Sequence, residues 1–266
     1  MPPCLVTDID LGIALFPLGK NTREIQSSHL LELKSIHEKT SKSIPLNYIY
    51  HSNERLTTSS ADSNGMSCGL DLSQAIENGC NELVERHIFS LWLVGDKNIK
   101  TSLVSLDLLQ EVVGDKILNK MHNLTKTMRV FELKFGQISC FLATSFADTE
   151  VFFCYGTSVN RNPSLGIMGA IGELNQTYVN SLNGLVQRKN YTFLYPLRQK
   201  LRNKIRGLVQ DARTINEVSR GCTYIDNCLE LKLDPYVYEF KDHSFPFIVV
   251  KCIGQNALFS KPGIND

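Results

Sequence analysis

The sequence predicts an α+β fold in which mixed sheets are covered by helices. Two long stretches, ending near Trp92 and spanning about Ser164–Leu185, repeat apolar residues at helical spacing. Short β-rich runs gather between those stretches and return near the end of the chain, with no regular βαβ alternation. Such an order places helices on one side of the sheets. At 266 residues the chain is long enough for a substantial core, as one large domain or two packed lobes.

Taken in order, residues 1–44 read as a polar, helix-prone segment, with Ser35 to Ser43 as a Ser- and Lys-rich surface connection. A short strand around Ile44–Tyr50 leads into the polar loop His51–Asn64. The first long helix follows, because Ala75, Ile76, Cys80, Leu83, Val84, Ile88, Phe89 and Trp92 hold it in a core. A second helical stretch is expected near Ser102–Val113. The runs Arg129–Lys134, Ile138–Thr144 and Glu150–Tyr155 form a meander split by Phe-Gly and Ala-Asp. A long helix over about Ser164–Leu185 and a basic amphipathic helix over about Leu197–Val218 come next. Strands near Tyr236–Phe240 and Phe247–Cys252 close the chain, and no internal repeat is evident.

The densest chemistry lies where the turn Ser63-Asn-Gly-Met-Ser-Cys-Gly69 runs into the first long helix. Glu82, Glu85 and Arg86 sit three and four residues apart, so they share one helix face. Clustered carboxylates repel unless a cation relieves them, and hard oxygen donors suit Mg²⁺. A turn with exposed N–H groups at a helix start also receives phosphate oxygens. The same residues equally describe a solvated face with local ion pairs, and the residues alone leave both readings open.

Composition narrows the class of protein. The 28 Lys and Arg balance 27 Asp and Glu, which gives no global argument for nucleic acid or an acidic partner. The run Arg198, Lys200, Arg202, Lys204 and Arg206 alternates with Leu197, Leu201 and Ile205 and fits an amphipathic surface helix. No stretch approaches the ~20 apolar residues of a membrane span, and the start lacks a signal-peptide pattern. A cytoplasmic protein with no membrane or nucleic-acid partner is expected. The eight cysteines make no C-x-x-C and sit mainly among apolar residues, which suggests reduced, buried thiols. His87 follows the acidic helix motif and is expected to be packed or partly exposed.

The turn and helix resemble the YcaO family, which carries S-N-G-x-x-x-G and then a helix ending in E-L-x-E-R. Here the residues read Ser63-Asn64-Gly65, Gly69 and Glu82-Leu83-Val84-Glu85-Arg86. A second signature appears as Gly156-Thr-Ser, Asn162-Pro163 and Ala170-Ile-Gly-Glu173-Leu-Asn-Gln176. The closing segment Phe247 to Gln255 is similar to the family's late strand, and the agreement runs from about residue 45 to 258.

The resemblance implies ATP- and Mg²⁺-dependent activation of peptide backbone amides. A Cys, Ser or Thr side chain attacks the preceding amide carbon, the oxyanion is phosphorylated, and elimination leaves an azoline; related members make thioamides or amidines. It further implies metal-holding roles for Glu82, Glu85 and Glu173, and nucleotide contacts from Ser63, Asn64, Ser67, Gln74, Arg86 and Gln176. A ribosomally made precursor peptide, a partner protein of a modification complex and a homodimer are the implied partners. Read by themselves, Glu173 and Gln176 would be the wet face of a helix whose apolar side is Leu165, Met168, Ile171 and Leu174.

The departures from the family pattern are specific. Gln74 stands where the family places a glutamate after the turn serine, and an amide cannot replace a carboxylate's charge at a cation site. The family's helix motif S-x-x-x-E-x-x-E-R is not found before residue 60, and no proline-rich tail closes the chain. Residues 45–266 are therefore expected to match roughly the C-terminal two-thirds of the usual domain. The alternative expectation is a non-catalytic subunit that keeps the fold to bind substrate peptide or a partner protein.

Overall fold

The computed structural model describes residues 30–37, 40–45, 64–115, 128–145, 154–186, 201–208, 212–240 and 246–254. In chain order these form β1 (Leu30–Ser35), β2 (Ser41–Pro45), β3 (Met66–Gly69), α1 (Leu72–Val94), β4 (Lys100–Val104) and α2 (Leu106–Val113). Then come β5 (Met128–Phe135), β6 (Ile138–Ser145), β7 (Cys154–Val159), α3 (Pro163–Val186) and α4 (201–208). Strand β8 (Arg213–Ile215), helix α5 (Tyr224–Glu230), β9 (Pro235–Phe240) and β10 (Ile248–Gly254) complete the chain. Two compact units divide it, Met1–Val84 with Tyr224–Ala257 and Glu85–Thr223 with Leu258–Asp266, so the boundary falls inside α1.

The first unit is built on an antiparallel sheet of order β2-β1-β9-β10-β3. Leu31, Leu33, Tyr236 and Phe240 form its buried apolar face. Residues 1–44 were expected to be helix-prone, with Ser35 to Ser43 as a surface connection and a strand only from Ile44 to Tyr50, of which 46–50 lie outside the described residues; the described residues within 30–45 differ. They instead form the β1–β2 hairpin, with Leu31 opposite Ile44 and Leu33 opposite Lys42. Alternation wins over helix propensity because Leu31 and Leu33 are buried while Glu32 between them is exposed.

The second unit carries the mixed sheet β7-β6-β5-β4-β8, antiparallel except for the parallel β4–β8 pair. Val130, Phe141, Ala143 and Cys154 of the sheet pack with Ile167, Ala170, Ile171 and Leu174 of α3. The opposite face is covered too: Tyr155 of β7 stacks on Phe89 of α1 with ring centroids 5.4 Å apart. Helices on one side were expected, but this sheet has helices on both. Strand alternation sends neighbouring residues of β7 to opposite faces, which allows one short strand to meet α1 and α3 at once.

Several boundaries shift for local reasons. The helix expected over Ser102–Val113 gives way to β4 and then α2, because the Ser105 hydroxyl accepts the Leu108 N–H at 3.2 Å and caps the helix start there. The third meander strand lies at Cys154–Val159, and residues 146–153 fall outside the described residues. The basic helix expected to reach Val218 is described only over 201–208. Arg213–Ile215 is a strand, since Thr214 and Ile215 pair with Leu103 and Val104. Helix α5 was not anticipated. Among the described residues, no helix is long and apolar enough to cross a membrane.

Candidate active site

In the first unit, the turn before α1 is held by its own backbone and by β10. Gly65 has φ 75°, and a Cβ there would lie 2.2 Å from the Cys252 carbonyl oxygen, so only glycine fits. The buried Lys251 ammonium donates to the Asn64 carbonyl at 2.7 Å. Ser67 donates its hydroxyl to the Ala75 carbonyl at 2.6 Å, tying β3 to the first turn of α1. The Asp71 carboxylate accepts the Gln74 N–H, while the Gln74 side-chain oxygen accepts the Leu70 N–H, both at 2.8 Å. Together these two bonds cap α1 and give Gln74 a structural task at the exposed helix start. Ser63 lies outside the described residues.

Within the second unit, two expected site residues converge on one strand residue, and a third pairs with both of them. Thr157 of β7 donates its hydroxyl to Glu85 Oε1 at 2.6 Å, and its backbone N–H donates to Glu173 Oε2, also at 2.6 Å. The hydroxyl oxygen lies 3.3 Å from Glu173 Oε2 as well, but its single proton is given to the shorter contact. Arg86 Nη2 donates to Glu173 Oε1 at 3.1 Å, and Arg86 Nε stands 3.4 Å from Glu85 Oε1. Two carboxylates from different helices thus meet at a neutral hydroxyl, a backbone amide and one guanidinium.

Geometry explains why these helices reach the same residue. On α1, Glu85 and Phe89 are one turn apart, a rise of about 6 Å. On β7, Thr157 and Tyr155 are two residues apart, a rise of about 6.7 Å. The near match lets the Glu85–Thr157 hydrogen bond and the Phe89–Tyr155 stack form together. Helix α3 arrives from the other face, pressed against Gly156. A Cβ at Gly156 would lie 2.2 Å from Leu174 N and 2.3 Å from Ala170 O. Among the described residues β7 is an edge strand, and the Thr157 N–H donates to Glu173.

The surroundings are dry on one side. Burial, reinforced by the Glu85 carboxylate, pushes the Cys140 thiol well above the usual range, so it is a protonated, inert wall rather than a nucleophile. His87 is buried, as expected, and burial lowers its imidazole below the ordinary value despite an opposing pull from Asp96. Glu82 is half-buried three residues before Glu85, and Gln176 is exposed one turn beyond Glu173. Among the described residues, no three of His, Cys, Asp or Glu are gathered as a ready-made cation cage. All seven described cysteines are free thiols, and Cys68 in the turn is exposed.

Thr157 is the residue that sequence reasoning missed. It stood inside the Gly156-Thr-Ser segment, but a neutral β-branched residue in a strand carries no chemical signal of its own. Its partners are 72 and 16 positions away, and only the folded chain brings them together.

Comparison with known proteins follows the same pattern. The chain matches the family described as YcaO cyclodehydratase, ATP- and Mg²⁺-binding, over residues 19–253. No curated protein matches significantly. The fold is similar to that of YcaO from Methanopyrus kandleri bound with AMPPCP and Mg²⁺, at TM-score 0.68 and 15% identity, covering 89% of this chain and 66% of that one. A heterocyclase in complex with substrate and cofactor superposes at TM-score 0.66 and 19% identity, over 86% of this chain and 33% of its own. The E. coli microcin synthetase McbBCD complex with pro-MccB17 bound gives TM-score 0.63 and 16% identity, covering 96% and 71%. The chain therefore spans about a third of that heterocyclase and about two thirds of the archaeal protein.

Proposed function

The chain belongs to the YcaO family, and on that premise we propose that it activates peptide backbone amides by ATP- and Mg²⁺-dependent O-phosphorylation, toward azoline or thioamide formation on a ribosomally made peptide. The observation that carries this reading is the meeting of Glu85 and Glu173 at Thr157, with Arg86 paired to both. These residues fit the ion: carboxylate oxygens are hard donors, and Mg²⁺ is held by one or two carboxylates plus phosphates rather than by an all-protein cage. Glu85 and Glu173 would hold it, with Glu82 supplying a third carboxylate from the preceding turn of α1. Bound there, Mg²⁺ supplies charge neutralisation to the phosphates.

The remaining roles belong to the chain's own side chains. Arg86 pairs with both carboxylates and offers a guanidinium for phosphate oxygens. Cys140 keeps one wall dry and protonated. Asn64, Ser67, Gln74 and Gln176, with Ser63, are proposed to serve the nucleotide. The acidic spacing sought upstream of residue 60 is met on α1 itself, with Asn78 four residues before Glu82 where the family motif has serine. An amide oxygen is a poor leaving group, and phosphorylation converts it to a good one, so catalysis reduces mainly to positioning. A precursor peptide, a partner protein and a homodimer are the proposed partners, and the cytoplasm the proposed location.

Titration calorimetry with Mg²⁺ and a non-hydrolysable ATP analogue tests the reading. Saturable, magnesium-dependent binding supports it, and absence of binding by folded protein refutes it. One observation favours a second reading, a non-catalytic binding subunit: Arg86 already pairs with both carboxylates without an added cation. That reading expects no magnesium-dependent nucleotide binding.

A further inference from the structure

We propose that Thr157 is a positioning residue that sets the spacing of Glu85 and Glu173 and thereby the affinity for Mg²⁺, an inference that rests on the Mg-ATP reading above. Two carboxylates carried by separate helices repel and would splay apart unless something fixed both. Thr157 fixes both from one backbone position, Glu85 through the hydroxyl and Glu173 through the amide N–H, each at 2.6 Å. Both donors are neutral, so they orient the pair without adding charge that would compete with a cation. Arg86 does add charge, and it reaches the same two side chains at longer distances.

The seat is also rigid. Thr157 is buried, and the neighbouring Gly156 lies against the α3 backbone with no room for a side chain. On the other side, the Phe89–Tyr155 stack fixes α1 one turn from Glu85. The threonine hydroxyl therefore links Glu85 to a strand that α3 already holds. Removing it leaves Glu173 bound to the amide and leaves Glu85 its Arg86 ion pair but not its tie to β7. Supports of this kind behind metal-holding carboxylates are worth about ten- to a hundredfold in metal affinity.

The test compares the parent with Thr157→Val and Thr157→Ser by calorimetry. Mg²⁺ is titrated at saturating non-hydrolysable ATP analogue, and the analogue is titrated at saturating Mg²⁺. Thr157→Val is isosteric and lacks only the donor; it should raise the half-saturating Mg²⁺ concentration about ten- to a hundredfold. The analogue's affinity at saturating Mg²⁺ should change little, and Thr157→Ser should restore the parental Mg²⁺ response. A general packing defect would not produce that split or that rescue. If Thr157→Val loses its far-UV dichroism, Thr157→Ala supplies the same comparison. Parental Mg²⁺ dependence in the variant without the hydroxyl overturns the role of Thr157 alone. Failure of the parent itself to bind overturns the Mg-ATP reading and this inference with it.

Discussion

Replacing Gly156 with alanine strikes the point where α3 and β7 come closest. The added Cβ would stand 2.2 Å from Leu174 N, 2.3 Å from Ala170 O and 2.8 Å from Glu173 C. All three are backbone atoms, so no flexible side chain can swing aside. Ordinary contact begins at 3.4 Å, and 3.4 minus 2.2 leaves about 1.2 Å that the helix and strand must separate. Overpacking of this kind costs about 1–3 kcal/mol, and an obstacle made of backbone places the variant near 3. A comparable displacement would stretch the 2.6 Å Thr157 N–Glu173 bond beyond hydrogen-bonding range, loosening a carboxylate of the site. Urea unfolding followed by far-UV dichroism should show the lowered midpoint, and Mg²⁺-dependent binding of an ATP analogue should weaken with it. A Gly156→Ala variant within about 0.5 kcal/mol of the parent would refute the close approach.

Three further expectations concern single side chains. Glu82→Gln or Glu85→Gln should abolish Mg²⁺-dependent nucleotide binding with the fold retained, and Gln176→Ala, which removes a neutral contact, should weaken it less; calorimetry giving the reverse order would displace the acidic pair from the site. Lys204 donates to the Trp92 and Leu93 carbonyls at the end of α1 and lies 4.7 Å from the Trp92 ring centroid, so Lys204→Met should cost about 1–2 kcal/mol in equilibrium unfolding. Burial lowers the His87 pKa, so the unfolded chain binds the proton more readily than the folded one. Stability should then be fully present above the ordinary histidine value of about 6.5 and fall as pH drops through the lower folded value. His87→Phe should flatten that acid-side loss, and identical pH profiles by chemical denaturation would contradict it.

How far the chain could be read before folding depended on the range of each interaction. Helix α1 was legible because Ala75, Cys80, Leu83, Val84, Ile88, Phe89 and Trp92 repeat at helical spacing, and all seven are buried. Glu85, Arg86 and Glu173 were legible as types at motif spacings, and they do meet. The β1–β2 hairpin was not, because its strands are short, Ser- and Lys-rich and depend on β9, some two hundred residues later, for their apolar contacts. Strand β8 owes its conformation to the parallel pairing with β4, which no local pattern encodes. Gln74 read as a defective carboxylate, whereas its amide closes a helix cap that depends on Asp71 three residues earlier.

The Thr157–Glu173 bond has a second consequence that concerns other molecules rather than substrate. An edge strand exposes a row of amides that can template pairing with another chain. Among the described residues β7 is such an edge, and there the Glu173 carboxylate accepts a hydrogen bond from one of its amides. Losing this residue would uncover that amide. Variants at Glu173 should therefore be screened for self-association at high protein concentration.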